Sequence, residues 1–202
     1  MPVMRIALYL GGIGLIGCTP LEDRVVVYGD GWCAPARTET AHCVIDGDTF
    51  DLSDCDADLG SEADFERVRL LGIQAPEISH GEEASECYGD EATEKLERIL
   101  IGRSLRLEFD EECLGYYGRT LAWVYVQGEE DDPLRSELDA LGGLGVQEDG
   151  TFDVLVNEWL VRAGYAKVYE NDGQKRYEDR LSEAQRQAAM SQLGLWGVCE
   201  ES

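Results

Sequence analysis

The stretch Val68-Arg69-Leu70-Leu71-Gly72-Ile73-Gln74-Ala75-Pro76-Glu77 carries the most information about the fold of this chain. Residues 67–73 are strongly apolar with β-branched side chains, which predicts a buried strand. Pro76 has no backbone N–H to donate and ends that strand. Taken singly, Arg69 is consistent with an ion pair on the strand surface, and Glu77 with an ordinary turn residue.

The segments on either side of this strand predict a small β-structure. Asp46-Gly47 predicts a turn between a strand ending at Ile45 and a returning strand at residues 49–52. Residues 53–64 are acidic and contain glycine, so we expect an exposed hairpin tip. Apolar and charged residues alternate over residues 105–109, which predicts a strand. Residues 121–126 are rich in β-branched and aromatic side chains and predict another.

Helical patterns follow the third strand and close the chain. Asp90 is a good N-cap for a helix that ends at the C-cap residue Gly102. Further apolar periodicities predict helices at residues 154–163 and 177–188, and a short one around residues 134–141. Three strands, a helix, two strands and two helices predict an α+β fold. We expect a five-stranded OB-fold Greek-key barrel with three α-helices.

The first 17 residues differ in kind from the rest. A short basic start precedes an uncharged apolar run, which is typical of a signal peptide and too short to span a bilayer. The run ends in Leu15-Ile16-Gly17-Cys18, which resembles the lipobox of bacterial lipoproteins and implies a lipid on Cys18. An ordinary cleaved signal is the alternative. We therefore predict export and a lipid anchor in the cell envelope, at the outer membrane or the periplasmic face, with secretion as the second choice.

The predicted organisation is a signal peptide at residues 1–17, a lipidated N-terminus and tether at 18–36, and one domain at 37–199. Acidic insertions are expected at about 51–66 and 127–151. They contribute to a net charge of −25, which argues against non-specific binding of nucleic acid, because such binding usually depends on Lys and Arg.

Six cysteines remain after Cys18, and an even number in an exported chain indicates disulfides. Metal binding is the rival, but there is no Cys-x-x-Cys and the chain has only two histidines. We expect Cys87 to pair with Cys113, and Cys33 with Cys43, although the sequence does not choose among the pairings. The six are Cys33, Cys43, Cys55, Cys87, Cys113 and Cys199.

Several short motifs, in order along residues 43–196, together resemble the staphylococcal-nuclease-like (thermonuclease) family. Each motif is weak alone, and all of them in register are strong. They are Ile45-Asp46-Gly47-Asp48-Thr49, Val68 to Glu77, Tyr117-Gly118-Arg119-Thr120-Leu121-Ala122, Val156-Asn157-Glu158, Gly164 to Val168, Ser182-Glu183-Ala184-Gln185 and Leu193-Gly194-Leu195-Trp196.

The resemblance implies a calcium-dependent nuclease that cuts DNA or RNA with little sequence preference, acting as a monomer. Arg69 and Arg119 would stabilise the charge that develops on the phosphoryl oxygens, a task suited to guanidinium groups. Glu77 would orient or deprotonate the attacking water.

Two further sets of residues take roles by the same resemblance. Asp48, Gln74 and the carbonyl of Ala75 would bind the calcium ion. Tyr117 and Lys167 would contact the substrate.

The chain departs from the family pattern at several of these positions. Gln74 stands where the family has an Asp that ligates the metal, so we expect weaker calcium affinity. Gly115 and Tyr116 replace a polar and basic pair. These changes and the acidic charge leave two alternatives: a non-catalytic module that binds nucleic acid or protein, or an acidic calcium-binding envelope lipoprotein.

Overall fold

The structure is a computed structural model that describes residues 36–55, 66–79, 81, 84–110, 112–141, 145–147, 149–169 and 176–199. The predicted signal peptide, the predicted lipidation site Cys18 and most of the predicted tether lie outside these ranges, as does Cys33. Among the described residues, no helix is both long enough and apolar enough to cross a membrane.

The described residues form ten strands and five helices. The strands are β1 (Arg37–Thr40), β2 (Cys43–Asp46), β3 (Thr49–Asp51), β4 (Arg67–Leu70), β5 (Ile73–Gln74), β6 (Ser104–Glu108), β7 (Thr120–Gly128), β8 (Gly145–Val146), β9 (Phe152–Leu155) and β10 (Lys167–Val168). The helices are α1 (Gly89–Leu100), α2 (Arg135–Asp139), α3 (Val156–Ala163), α4 (Glu178–Met190) and α5 (Leu195–Val198).

The main sheet closes into a barrel. Its strand order is β1-β6-β7-β4-β3-β2, and β7 runs parallel to β4 while the other pairs are antiparallel. Only Ala41 and His42 separate β1 from β2 in the chain, so the two act as one bent strand. Its first half pairs with β6 and its second half with β3, which closes the sheet. The barrel therefore has five strands, and the predicted α+β OB-fold-like architecture with three principal helices (α1, α3 and α4) is confirmed.

The strand expected at residues 67–73 is divided in two, which corrects the prediction. β4 ends at Leu70, and Leu71 and Gly72 form a turn before β5. Gly72 has φ +71°, and a Cβ on it would lie 2.8 Å from Leu181 Cδ1. Asn157, which is fully buried, fixes this turn by donating to the Leu71 carbonyl at 2.9 Å. The turn redirects the chain so that Gln74 faces the same site as Arg69.

The helix expected at residues 154–163 begins later, at Val156. Val154 and Leu155 instead belong to β9, which pairs with Val126 and Tyr125 of β7. Pairing with an available strand edge outweighs local helical periodicity at these two positions. β8 and β9 extend the sheet beyond the barrel, and α2 lies within the predicted insertion.

The amphipathic face of α1 packs into the core as its spacing predicts, with Ala92, Leu96, Ile99 and Leu100 buried. The predicted N-cap is wrong, because Tyr88 occupies that position and Asp90 lies in the first turn. A carboxylate in the first turn still interacts favourably with the helix dipole. The predicted C-cap is also one residue late, since Ile101 is the C-cap of this helix.

Two disulfides differ from the expected pairings. Cys43 pairs with Cys55 and Cys87 pairs with Cys199, so Cys33–Cys43 and Cys87–Cys113 are wrong. Cys43 and Cys55 meet because β2 and β3 form a hairpin that brings their outer ends together. Cys113 is also disulfide-bonded.

Packing at the C-terminal end explains the second of these pairs. Tyr88 and Tyr165 pack with ring centroids 5.4 Å apart, and Leu195 N donates to the Gly164 carbonyl. These contacts bring α5, which immediately precedes Cys199, close to the start of α1, which follows Cys87.

Candidate active site

The turn between β2 and β3 delivers a carboxylate into the core. Asp48 is only 3% exposed, and its backbone N–H donates to Asp46 Oδ1 at 3.0 Å. Gly47 is required here, since a Cβ on it would lie 2.6 Å from the Ala75 Cβ and 2.7 Å from the Ala92 Cβ. Close packing of the turn against α1 and the β5 exit therefore fixes the position of Asp48.

Both oxygens of Asp48 have partners. Oδ2 accepts from the Ala75 backbone N–H at 2.7 Å, and Oδ1 accepts from Thr49 Oγ1 at 3.0 Å. Oδ1 also forms an ion pair with Arg69 Nη1. Burial raises the pKa of the Asp48 carboxyl to about 7, which outweighs the lowering by Arg69, and Asp46 adds to the rise. The site thus holds a carboxyl group whose charge is costly without further positive charge.

Arg69 lies at the centre of the cluster. It sits on β4 between Thr49 of β3 and Leu121 of β7, and its side chain is 12% exposed. Besides pairing with Asp48, Nη2 donates to Gln74 Oε1 at 2.7 Å and to the Ile73 carbonyl at 3.1 Å. The guanidinium is therefore held in one orientation at the end of a rigid strand.

Gln74 joins Arg69 to Glu77. Its Nε2 donates to Glu77 Oε1 at 2.9 Å and to the Ala75 carbonyl at 3.1 Å. Glu77 is exposed, which leaves its carboxylate accessible to water. The structure therefore brings together the predicted site residues Asp48, Arg69, Gln74, Ala75 and Glu77.

The backbone of Glu77 is fixed by the segment before α1. Glu86 N donates to the Glu77 carbonyl at 2.9 Å, and Glu77 N donates to Glu86 Oε2 at 3.0 Å. Gly89 is required beside this pair, because a Cβ on it would lie 2.7 Å from the Glu77 carbonyl oxygen. Glu86 is thus a site residue that sequence reasoning missed, and no motif marks it.

Arg119 adjoins β7, the strand that pairs with the Arg69 strand β4. It immediately precedes β7, and its guanidinium lies 5.7 Å from the Tyr117 ring centroid. Its Nε is buried and has no hydrogen-bond partner among the described residues. The described part of the chain shows no ion pair between Arg119 and Asp48, and Arg119 and Arg69, both donors only, cannot hydrogen-bond to each other.

Tyr117 is displayed on a tight turn. Gly118 N donates to the Gly115 carbonyl at 3.0 Å, which places Tyr116 and Tyr117 at the two central positions. Tyr117 is 79% exposed and Tyr116 is 96% exposed. An exposed aromatic pair of this kind is a suitable surface for stacking against nucleobases.

Lys167 lies next to the cluster because its strand pairs with the strand of Gln74. β10 pairs with β5 so that Lys167 lies directly opposite Gln74. Its side chain is exposed, and Nζ lies 5.5 Å from the Trp196 ring centroid. Lys167 therefore provides a cationic group on the strand that flanks Gln74.

The predicted calcium ligands are chemically suited to a hard cation. Asp48, Gln74 and Ala75 supply a carboxylate, an amide oxygen and a backbone carbonyl, all oxygen donors of the kind calcium takes. Asp48 is the single charged member, and it is already paired with Arg69. No cluster of three or more His, Cys, Asp or Glu side chains with metal-site geometry occurs among the described residues. The oxygens of all three residues already accept from donors within the cluster, so a calcium ion would bind in competition with those contacts.

Sequence comparison places this arrangement in a known family. Residues 67–198 match the family model described as staphylococcal nuclease homologue. The chain belongs to the staphylococcal nuclease homologue family. The matched region includes Arg69, Gln74, Glu77, Arg119 and Lys167, and it begins after Asp48.

Individual members of the staphylococcal nuclease homologue family show the same likeness. The thermonucleases of Staphylococcus hyicus and Staphylococcus intermedius are 27% and 29% identical over 153 residues, which are 76% of this chain and 72% of each relative. Endonuclease YncB of Bacillus subtilis (strain 168) is 29% identical over 130 residues, which are 64% of this chain and 50% of that protein.

Proposed function

We propose that this chain is a nuclease that hydrolyses the phosphodiester bonds of DNA, with RNA as a second substrate and with little sequence preference. The observation that carries this proposal is the cluster in which Arg69 is bound to Asp48 and, through Gln74, to Glu77. The thermonuclease and endonuclease relatives support it. A non-catalytic module would have no need of a fixed guanidinium beside an exposed carboxylate.

Arg69 and Arg119 supply positive charge to the reacting phosphate. In phosphodiester hydrolysis, negative charge accumulates on the phosphoryl oxygens, and fixed donors aimed at them lower the barrier. Arg69 is already oriented by Asp48 and Gln74, so little reorganisation is needed. Arg119 takes the same role by the family resemblance, and its guanidinium lies 5.7 Å from the centroid of the exposed Tyr117 ring.

Glu77 acts on the attacking water. Its exposed carboxylate is held by Gln74 on one oxygen and by the Glu86 backbone pairing, so it is both accessible and fixed in place. A positioned carboxylate that accepts a proton from water accelerates such reactions by about 10²–10⁴-fold.

Calcium is proposed as the cofactor, held by Asp48 and by the oxygens of Gln74 and Ala75. When bound, a hard divalent cation stabilises negative charge on the phosphoryl oxygens. Because Gln74 contributes no charge, we expect a dissociation constant of about 10⁻⁴–10⁻³ M, the weak end of the range for calcium sites. Burial of Asp48 beside Asp46 favours a cation at this position.

Tyr117 and Lys167 are proposed to hold the nucleic acid, by stacking and by charge respectively. The proposal also includes export as a monomer and a lipid anchor on Cys18, which would place the domain at the outer membrane or the periplasmic face. Palmitate labelling, lost in Cys18→Ala, tests the anchor.

A calcium titration of single-stranded DNA cleavage tests the function. We expect activity that rises with calcium into the millimolar range and is abolished by EDTA. Arg69→Ala is expected to lose activity, whereas Arg98→Ala, on the exposed side of α1, is expected to retain it. Equal activity in both variants would contradict the assigned role of Arg69, and absence of cleavage at all calcium concentrations would contradict the proposed function.

A further inference from the structure

The amide of Gln74 has two different partners, and each of its two ends faces the one it suits. Oε1 accepts from the Arg69 guanidinium at 2.7 Å, and Nε2 donates to the Glu77 carboxylate at 2.9 Å. A side-chain amide is uncharged and carries its acceptor and its donor on separate atoms. It can therefore accept from a cation with its oxygen while it donates to an anion with its nitrogen. An Asp or Glu at position 74 can accept from Arg69 but has no hydrogen to donate to Glu77.

The same nitrogen also donates to the Ala75 carbonyl at 3.1 Å. Glu77 Oε1 and the Ala75 oxygen are therefore both directed at a partially positive N–H₂ group. Arg69 is itself held by Asp48 and by the Ile73 carbonyl. The chain of contacts runs without a break from the buried Asp48, through Arg69 and Gln74, to the exposed Glu77.

We propose that Gln74 is a positioning residue that holds the Glu77 carboxylate at a fixed position relative to the Arg69 guanidinium. It thereby partly replaces the bound cation in organising this site. This inference rests on the proposed nuclease function. Its consequence is that the arrangement of Arg69 and Glu77 is already present without calcium, because a side-chain amide maintains it.

The chain contains a matched control for this arrangement. On α4, Gln187 accepts from Arg162 at 2.8 Å and donates to Glu183 at 2.6 Å, which is the same Arg–Gln–Glu connection at an exposed surface. Gln74→Met and Gln187→Met therefore remove chemically equivalent hydrogen bonds with a similar change in volume. A general effect of losing such hydrogen bonds on stability should appear in both variants. An effect on catalysis should appear in Gln74→Met alone.

The kinetic test compares the two variants on single-stranded DNA across a calcium titration. For Gln74→Met we expect kcat to fall at least about tenfold, with KM within about twofold, because positioning acts on the chemical step. Gln187→Met should keep the wild-type kcat. Gln187→Met should melt within about 2 °C of the wild type, since surface substitutions change stability little, and Gln74→Met should be fully folded at the assay temperature. Wild-type kcat in Gln74→Met would overturn the proposal.

A third variant separates positioning from metal ligation. Gln74→Glu keeps the acceptor for Arg69 but sets a like charge against Glu77, so we expect at least as large a loss of kcat at low calcium. Added calcium should recover part of it, because the new carboxylate is a charged ligand. Gln74→Glu that exceeds the wild type at every calcium concentration would show that residue 74 acts as a ligand alone.

A measurement without catalysis keeps the inference distinguishable from the proposed function. The Gln74 side-chain amide signals, assigned by their loss in Gln74→Met, are followed by ¹⁵N NMR in EDTA. We expect both signals to shift in Glu77→Ala and in Arg69→Ala. Unchanged signals in both would overturn the bridge even if the protein cleaves DNA. Shifted signals in a protein that cleaves nothing would support the bridge and contradict the nuclease.

Discussion

At the scale of single residues, Asp48 couples stability to pH. Its carboxyl is buried, and its pKa in the folded protein is raised to about 7 from an ordinary value of 3.8. Between these values the unfolded chain has lost the proton while the folded chain keeps it. Without calcium, we therefore expect the free energy of unfolding to fall as pH rises from about 4 to about 7.

Urea unfolding in EDTA at several pH values measures this effect. Asp48→Asn removes the titrating group, so its stability should depend less steeply on pH over the same range. Asp54→Asn, on an exposed side chain, serves as the control and should follow the wild type. Parallel pH profiles for the wild type and Asp48→Asn would rule out this role for Asp48.

Most of the candidate site was predictable residue by residue, because its members belong to short motifs. Asp48, Arg69, Gln74, Ala75 and Glu77 do lie together. Glu86 was not predictable, since its role depends on a backbone pairing between loops with no sequence signature. The contacts of Gln74 with both Arg69 and Glu77 were also missed. Comparing Gln with the Asp of the family shows the lost negative charge but not the N–H donor that Gln gains.

At the scale of elements, the Cys87–Cys199 disulfide links the segment that fixes Glu77 to the end of the chain. The two cysteines are 112 residues apart, against 12 for Cys43 and Cys55. A longer closed loop removes more entropy from the unfolded chain, so replacing Cys87 and Cys199 by Ser should cost about 2–5 kcal/mol.

The same double replacement at Cys43 and Cys55 should cost less, and urea midpoints compare the two. Since Cys87 follows Glu86, the first variant should also lower kcat. A larger loss of stability on removing Cys43–Cys55, which closes the shorter loop, would contradict the entropic account.

The turn at Gly115–Gly118 supports a separate prediction about substrate binding. Tyr117→Ala removes an exposed ring worth about 1–3 kcal/mol when a base stacks on it. We expect KM for single-stranded DNA to rise at least about fivefold while the melting temperature is unchanged. Met190→Ala, an exposed apolar residue on α4, is the control. An unaltered KM would remove Tyr117 from the substrate surface.

Element boundaries were predictable to within one or two residues where local pattern and tertiary pairing agree, as in α1 and β6. They were not predictable where a distant strand or side chain decides the outcome. β7 draws Val154 and Leu155 into β9, and Asn157 holds the turn after β4. The predicted partner of Cys87 was wrong for the same reason, because the contact between Tyr88 and Tyr165 is not visible in local spacing.

At the scale of the whole molecule, the net charge of −25 repels nucleic acid at long range. Salt screens such repulsion beyond about 30 Å at 0.01 M and about 10 Å at 0.1 M. We therefore expect KM for DNA to fall as NaCl rises from about 10 to 100 mM at fixed calcium, the reverse of the usual trend for nucleic-acid-binding proteins. Steady-state kinetics on a short oligonucleotide measure it, and a steadily rising KM would contradict this account.

The most direct test of the central claim is the cleavage rate of Glu77→Ala on single-stranded DNA at saturating calcium, with the disulfides formed. Glu94→Ala, on the exposed face of α1, is the matched control. The account predicts a loss of kcat of at least about 100-fold in Glu77→Ala with an unchanged melting temperature, and wild-type kcat in Glu94→Ala. Cleavage by Glu77→Ala at the wild-type rate would contradict it.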